Sequence, residues 1–265
     1  MTKTRLAING AAGRMGKRLV ALGSVDPDLQ ISAALDVAQH PALGLDAGLL
    51  AGVLGLGVPL SDELSVPVDV VIDFSVPAGA EAVTELCLAH GLPLVLATTG
   101  LNAQQKQKVN EAANRIAVVW APSMSLAVNL TMKLAAVAAE ALKNNSHGVD
   151  VEIIERHHRF KEDAPSGTAL RFGEIIAGAM GQTKQAHGRH GSIGQRPHNE
   201  IGYHAVRTGD NPGEHTIVFG FLGETIELTV KATNRDCYAL GALAAAKFVA
   251  EQSPGLYTMN DVLGL

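Results

Sequence analysis

Leu6-Ala7-Ile8-Asn9-Gly10-Ala11-Ala12-Gly13-Arg14-Met15-Gly16 decides the fold: a short apolar run ends in Asn-Gly, and glycines spaced GxxGxxG open a helical stretch reaching about Gly23. A strand followed by glycines and then a helix gives a tight turn, lets backbone approach a pyrophosphate closely, and points a helix N-terminus at negative charge. A second strand-like run, Ile31-Ser32-Ala33-Ala34-Leu35, is closed by Asp36, 20 positions after Gly16. An acidic residue there is placed to accept hydrogen bonds from the hydroxyls of an adenosine ribose. The alternative of a phosphate-binding P-loop ending at Gly16-Lys17 fails, because position 11 is Ala and Arg18 stands where a hydroxyl is needed.

Outward from this stretch, strands and helices alternate. Val68–Ile72, Leu94–Ala97 and Ile116–Trp120 read as buried strands, separated by helices over Pro77–His90 and about Gln104–Asn114. That spacing predicts an α/β fold with a doubly wound parallel sheet. The loops Asp73-Phe74-Ser75 and Ala97-Thr98-Thr99-Gly100 fall at its carboxyl edge, where cofactors lie. After Pro122 the pattern changes: a long helix over Ser125–Leu142, a strand over Val151–Glu155, a helix over Ser166–Met180, and alternating strands at Gly202–Val206, His215–Phe219 and Thr225–Lys231. Gln182–Pro197 lacks a hydrophobic period and reads as a mobile loop, and the Ala-rich helix Cys237–Glu251 is placed to return to the first domain. Expected domain limits are therefore 1–124 with 235–265, and 125–234.

Of the 265 residues 47% are hydrophobic and 18% charged, which excludes intrinsic disorder, and a net charge of −5 argues against a nucleic-acid partner. Two distant cysteines, Cys87 and Cys237, make neither a disulfide framework nor a metal knuckle, as expected in the cytoplasm. The N-terminus has no apolar signal segment, and the apolar Leu43–Leu60 stretch is interrupted by Asp46 and glycines, so no membrane association is expected. His187-x-x-His190 has metal-ligand spacing but no further ligand nearby, so no metal is expected.

The densest chemistry lies in Glu155-Arg156-His157-His158-Arg159-Phe160-Lys161-Glu162-Asp163-Ala164-Pro165-Ser166-Gly167-Thr168. Two His, Lys161 and two Arg after a strand suit a dicarboxylate and supply an acid near neutral pH, and the helix opening at Ser166 offers backbone N–H groups to a carboxylate. Ser166 as a simple N-cap beside a solvated loop is the competing reading.

His157-His158-x-x-Lys161-x-Asp163-Ala164-Pro165-Ser166-Gly167-Thr168, together with Gly10–Gly16 and Ala97-Thr98-Thr99-Gly100, closely resembles the 4-hydroxy-tetrahydrodipicolinate reductase (formerly dihydrodipicolinate reductase) family of lysine biosynthesis. Asp46-Ala47-Gly48, Val206-Arg207-x-Gly209-Asp210 and Gly213-Glu214-His215-Thr216 extend the resemblance over the whole chain. It implies a Rossmann domain completed by the C-terminal helix, and an α+β middle domain whose open mixed sheet binds substrate and assembles a homotetramer. The implied reaction is NAD(P)H-dependent reduction of 4-hydroxy-tetrahydrodipicolinate to tetrahydrodipicolinate with loss of water.

By the same resemblance His157 is the catalytic acid/base and Lys161 the proton donor, while His158, Lys161, Ser166, Gly167 and Thr168 hold the substrate carboxylates. The cofactor positions are Gly10, Ala11, Ala12, Gly13, Arg14, Met15, Gly16, Asp36, Phe74, Ala97, Thr98, Thr99, Gly100, Ala121 and Met124. The chain departs from the family at Ala121-Pro122-Ser123-Met124-Ser125, where Asn is usual, and at Ala127, where Gly is common. Val37 stands where NADPH-preferring members often place Arg, so Asp36 has no cationic partner for a 2′-phosphate, and NADH is expected to be preferred or fully accepted. A related aspartate or homoserine dehydrogenase has no use for the His-His to Ser-Gly-Thr run, and a nucleotide sensor without turnover has no use for its acid.

Overall fold

A computed structural model describes residues 2–265, which fall into two compact units, one running to Leu126 and resuming at Asp236–Leu265, the other Ala127–Arg235. In chain order the first unit begins β1 (Thr4–Asn9), α1 (Arg14–Val25), β2 (Leu29–Leu35), α2 (Ala47–Leu50), β3 (Leu60–Ser61), β4 (Val70–Asp73), α3 (Pro77–His90), β5 (Leu94–Leu96), α4 (Ala103–Ala112) and β6 (Ala117–Trp120). The second unit contains α5 (Leu126–Leu142), β7 (Asp150–His157), α6 (Gly167–Met180), β8 (Lys184–His187), β9 (Glu200–Arg207), β10 (Glu214–Gly220) and β11 (Thr225–Lys231). The chain then closes the first unit with α7 (Asp236–Val249), β12 (Gly255–Tyr257) and α8 (Met259–Leu263).

The first sheet is parallel throughout and ordered β12-β6-β5-β4-β1-β2-β3, the dinucleotide-binding order 3-2-1-4-5-6 with β12 added beyond β6. Its strands read as apolar runs because both faces are covered. Leu19 and Val20 of α1 and Ala242, Leu243 and Ala246 of α7 pack on one face; Ala80, Val83 and Cys87 of α3 and Val109 and Ala112 of α4 pack on the other. Small residues along α7 let it lie close to the strands, and Arg18 ties its first turn to α1 through a two-point bond to Asp236 (2.6 and 2.8 Å). Strand order reverses between β1 and β4, so the crevice at their carboxyl ends is the place for a ligand.

The second sheet is mixed, ordered β11-β10-β7-β9-β8, with β7/β9 and β8/β9 parallel and the other pairs antiparallel. Both helices cover one face: Ala135 and Ala139 of α5, and Phe172 and Ile176 of α6, pack against Val151, Ile153, Ile201, Tyr203, Ile217 and Phe219. The other face is open, which gives β7 its alternation of buried and less buried residues.

Several elements differ from the sequence expectation. Gln182–Pro197, expected to be a mobile loop, carries β8, and the residues beyond that strand are held by charge: Arg189 pairs with Glu152 and Glu200 (2.7 Å each), and Arg196 with Asp150 (2.6 Å) and Glu152 (2.8 Å). Backbone pairing with β9 and these ion pairs order a segment that has no hydrophobic pattern to show it. β12 and α8 are too short to produce a periodic signal. Among the described residues no helix is long and apolar enough to cross a membrane, and no cluster of metal-ligating side chains occurs.

Candidate active site

In the first unit Gly10 turns with φ +74° and Gly13 caps α1 with extended backbone and no side-chain partner. The first-turn N–H groups of this 12-residue helix are left open to an anion. Gly16 is the residue that lets α1 approach β1: a Cβ there would lie 2.1 Å from the Gly10 carbonyl oxygen and 2.6 Å from the Ala11 Cα. Beside this turn is a cavity of about 570 Å³ lined by Gly10, Gly13, Asp36, Val37, Phe74 and Ser75 among others, a size that suits a cofactor. The Asp36 carboxylate accepts from the N–H groups of Ala12 (3.0 Å) and Val37 (2.9 Å), which orients it along the cavity wall. Turn, helix terminus, cavity and acidic wall together fit a dinucleotide.

Other expected cofactor residues are distributed differently. Thr99 and Gly100 are exposed at the sheet edge, as is Arg14, whereas Ala11, Ala97, Ala121 and Met124 are buried; Met124 packs in the core beside α7. Ala12, Met15 and Phe74 are half-buried against the same core. The Thr98 hydroxyl is turned away from solvent and donates to Asp73 (2.5 Å). Asp73, fully buried, also accepts from Asn9 (2.7 Å) and Ser75 (2.6 Å), so one carboxylate joins the ends of β1, β4 and β5. Burial pushes its pKa up, against the opposing pull of the Ser75, Thr98 and Asn9 donors.

In the second unit the alternation of β7 turns Glu155 and His157 to the same, buried side, 1% and 8% exposed. His157 Nδ1 lies 2.5 Å from Glu155 Oε2. Glu155 also takes a two-point bond from Arg207 of β9 (2.7 and 2.8 Å) and the Ser166 N–H (3.1 Å). Burial alone would raise the Glu155 pKa, but Arg207 and His157 outweigh it and hold the carboxyl below its ordinary range. Ser166 N-caps α6 through Ala169 N (3.2 Å) and meets His215 Nε2 of β10 at 3.0 Å. The His215 ring stands edge-on to His157 with centroids 5.2 Å apart, and burial, reinforced by His157, lowers its pKa to about 4.

Burial also lowers the His157 pKa; Glu155 opposes this, and Lys161 and Arg207 add to it. Lys161 Nζ pairs with Asp163 (2.7 Å), whose carbonyl accepts from Arg207 (2.7 Å). Gly167 and Thr168 form the exposed and half-exposed first turn of α6, and His158 Nδ1 is buried without a hydrogen-bond partner among the described residues.

The run thus brings His157 and Ser166 onto the Glu155 carboxylate, with Lys161 paired to Asp163 on the adjoining loop, but not the two arginines that the sequence places beside them. Arg156 falls between inward residues of β7, points to the open face and pairs with Glu214, while Arg159 lies over the Phe160 ring. The guanidinium of the site is instead Arg207. Sequence reasoning gave Glu155, Arg207 and His215 no role. The one local signal was an acidic residue at an inward strand position, which requires a buried partner.

Residues 4–124 match the family described as dihydrodipicolinate reductase, N-terminus, and residues 127–263 its C-terminus. The chain belongs to the dihydrodipicolinate reductase family. A 4-hydroxy-tetrahydrodipicolinate reductase of Rhodopirellula baltica is 58% identical over 98% of this chain and 96% of its own, and that of Burkholderia multivorans is 47% identical over 98% and 99%. Among solved structures, a dipicolinate-bound dihydrodipicolinate reductase from Paenisporosarcina sp. TG-14 aligns with TM-score 0.79 and 28% identity over 97% of this chain and 98% of that one. The chain is therefore an oxidoreductase of lysine and diaminopimelate biosynthesis that uses a nicotinamide cofactor to reduce 4-hydroxy-tetrahydrodipicolinate to tetrahydrodipicolinate with loss of water.

Proposed function

We propose that the second unit binds the substrate dicarboxylate and delivers protons to it from His157 and Lys161. The observation that carries this reading is the convergence of His157, Glu155, Arg207 and the start of α6, with Lys161 on the adjoining loop. The open first turn of α6, with Ser166, Gly167 and Thr168, receives one carboxylate, and His158 and Lys161 receive the other. A bound reduced nicotinamide supplies the hydride. Lys161, whose charge also offsets the dianion, supplies the proton that must accompany it, and His157 exchanges protons with the ring and the departing water. The dipicolinate in the Paenisporosarcina relative is a planar dicarboxylate of the kind this clamp suits.

The GxxGxxG turn, Asp36, Phe74, Ala97–Gly100 and the Ala121–Met124 segment form the cofactor side. Thr98 and Met124 act there through backbone, because their side chains are committed to Asp73 and to the core. NADH is preferred or fully accepted: Asp36 lines the cavity, and the next residue, Val37, offers no cation to a 2′-phosphate. The enzyme works as a homotetramer, a reading supported by the open sheet face with Ile154 and Val206 exposed on it, and it works in the cytoplasm, which its two distant cysteines suit. Oxidation of NADH and NADPH, followed by absorbance with substrate generated from pyruvate and aspartate semialdehyde, tests the reading. Substrate-dependent turnover with NADH at least matching NADPH is expected; a clearly higher specificity constant for NADPH would refute the cofactor assignment.

A further inference from the structure

We infer that Glu155 is a positioning residue for the reaction: it fixes the proton of His157 on Nδ1, leaves Nε2 as the exchanging nitrogen, and joins that imidazole to the start of α6. The inference rests on the reading of His157 as the acid/base. An ionised carboxylate accepts about four hydrogen bonds and donates none. Here Arg207 fills two of those sites, Ser166 N–H a third and His157 Nδ1 the fourth. With Glu155 held ionised by Arg207, Nδ1 is the donor in neutral and charged imidazole alike, so only Nε2 gains or loses a proton.

Nε2 lies against Gly213, where a Cβ would stand 2.8 Å from it, and φ +150° there is a conformation that suits glycine. The charged and titratable groups facing His157 are Glu155 on its own strand, Arg207 from β9, Lys161 from the following loop and His215 from β10. Glu155 is the anion among them. The same carboxylate holds Ser166 N–H, so a rotation of the imidazole and a shift of the carboxylate clamp are mechanically one event.

The test is E155Q in the full-length enzyme, with H157N beside it. Without the anion, imidazolium is less favoured, so the limb of the pH profile belonging to His157 moves to lower pH; kcat falls roughly 100-fold, while NADH binding measured by fluorescence changes less than about twofold. A rise in KM with kcat and pH profile unchanged would reduce Glu155 to a prop for the clamp and overturn the inference. If E155Q does not fold, long-range proton–nitrogen spectra of histidine-labelled wild type, with His157 assigned by its loss in H157N, decide the matter. Neutral His157 should carry its proton on Nδ1, and a proton on Nε2 would overturn the inference. Full turnover in H157N would instead refute the acid/base reading, leaving the tautomer measurement to judge Glu155 separately.

Discussion

The two sites in this chain are built from opposite materials. In the first unit the proposed cofactor crevice depends on what is missing: no Cβ at Gly16, no side-chain cap on α1, no cation directly after Asp36. In the second unit the site depends on what is present: a buried carboxylate with four donors, two imidazoles at right angles or nearly so, and an ammonium. A site made by close backbone approach is vulnerable to added volume and indifferent to pH. A site made of coupled charges tolerates bulk at its margins and responds to every proton.

The sharpest way to break that comparison is G16A. Its methyl group meets backbone that cannot yield like a flexible side chain, so α1 must move off β1, and NADH affinity should fall on the order of 100-fold, about 3 kcal/mol. G13A, whose Cβ would sit 3.1 Å from the Gly10 oxygen, should lose much less. Equal loss in both, by calorimetric titration, would deny the special role of Gly16.

The pH response comes next. His215 keeps a depressed pKa when folded, so as pH falls below the ordinary histidine value of about 6.5 the unfolded chain takes up a proton first. Stability should therefore decline from about pH 6.5 towards 4, by on the order of 2 kcal/mol between pH 7 and 5 from this residue, and H215N should flatten that slope in urea unfolding. An unchanged slope in the variant would show that His215 does not carry it. The smallest effect expected is V37R: Val37 is exposed on the cavity wall, and a guanidinium there should raise the NADPH specificity constant about tenfold without harming NADH turnover.

The parallel sheet was legible in the sequence because buried strands and capped helices leave local periodic marks, from Ile8 to Pro77–His90. β8 was not, since Lys184-Gln185-Ala186-His187 owes its order to β9 and to His187 stacking on Tyr203, a contact between residues far apart in sequence. The run proposed as catalytic was legible for a similar reason: His157, Lys161 and Ser166 are neighbours in the chain. Arg207 and His215 reach the site only because β9 and β10 flank β7, with His157 opposite Arg207 and Glu155 opposite His215. Pairing register is invisible to local pattern, so the half of the proposed site that surrounds Glu155 from β9 and β10 was hidden, while the half assigned to the substrate was not.

That proton delivery resides in the second unit and cofactor binding in the first is tested most directly by K161A, measuring turnover and NADH dissociation constant on the same preparation. Turnover should fall by roughly three orders of magnitude with NADH binding within about twofold of wild type. Loss of both in equal measure, or turnover within a few-fold of wild type, would contradict the account.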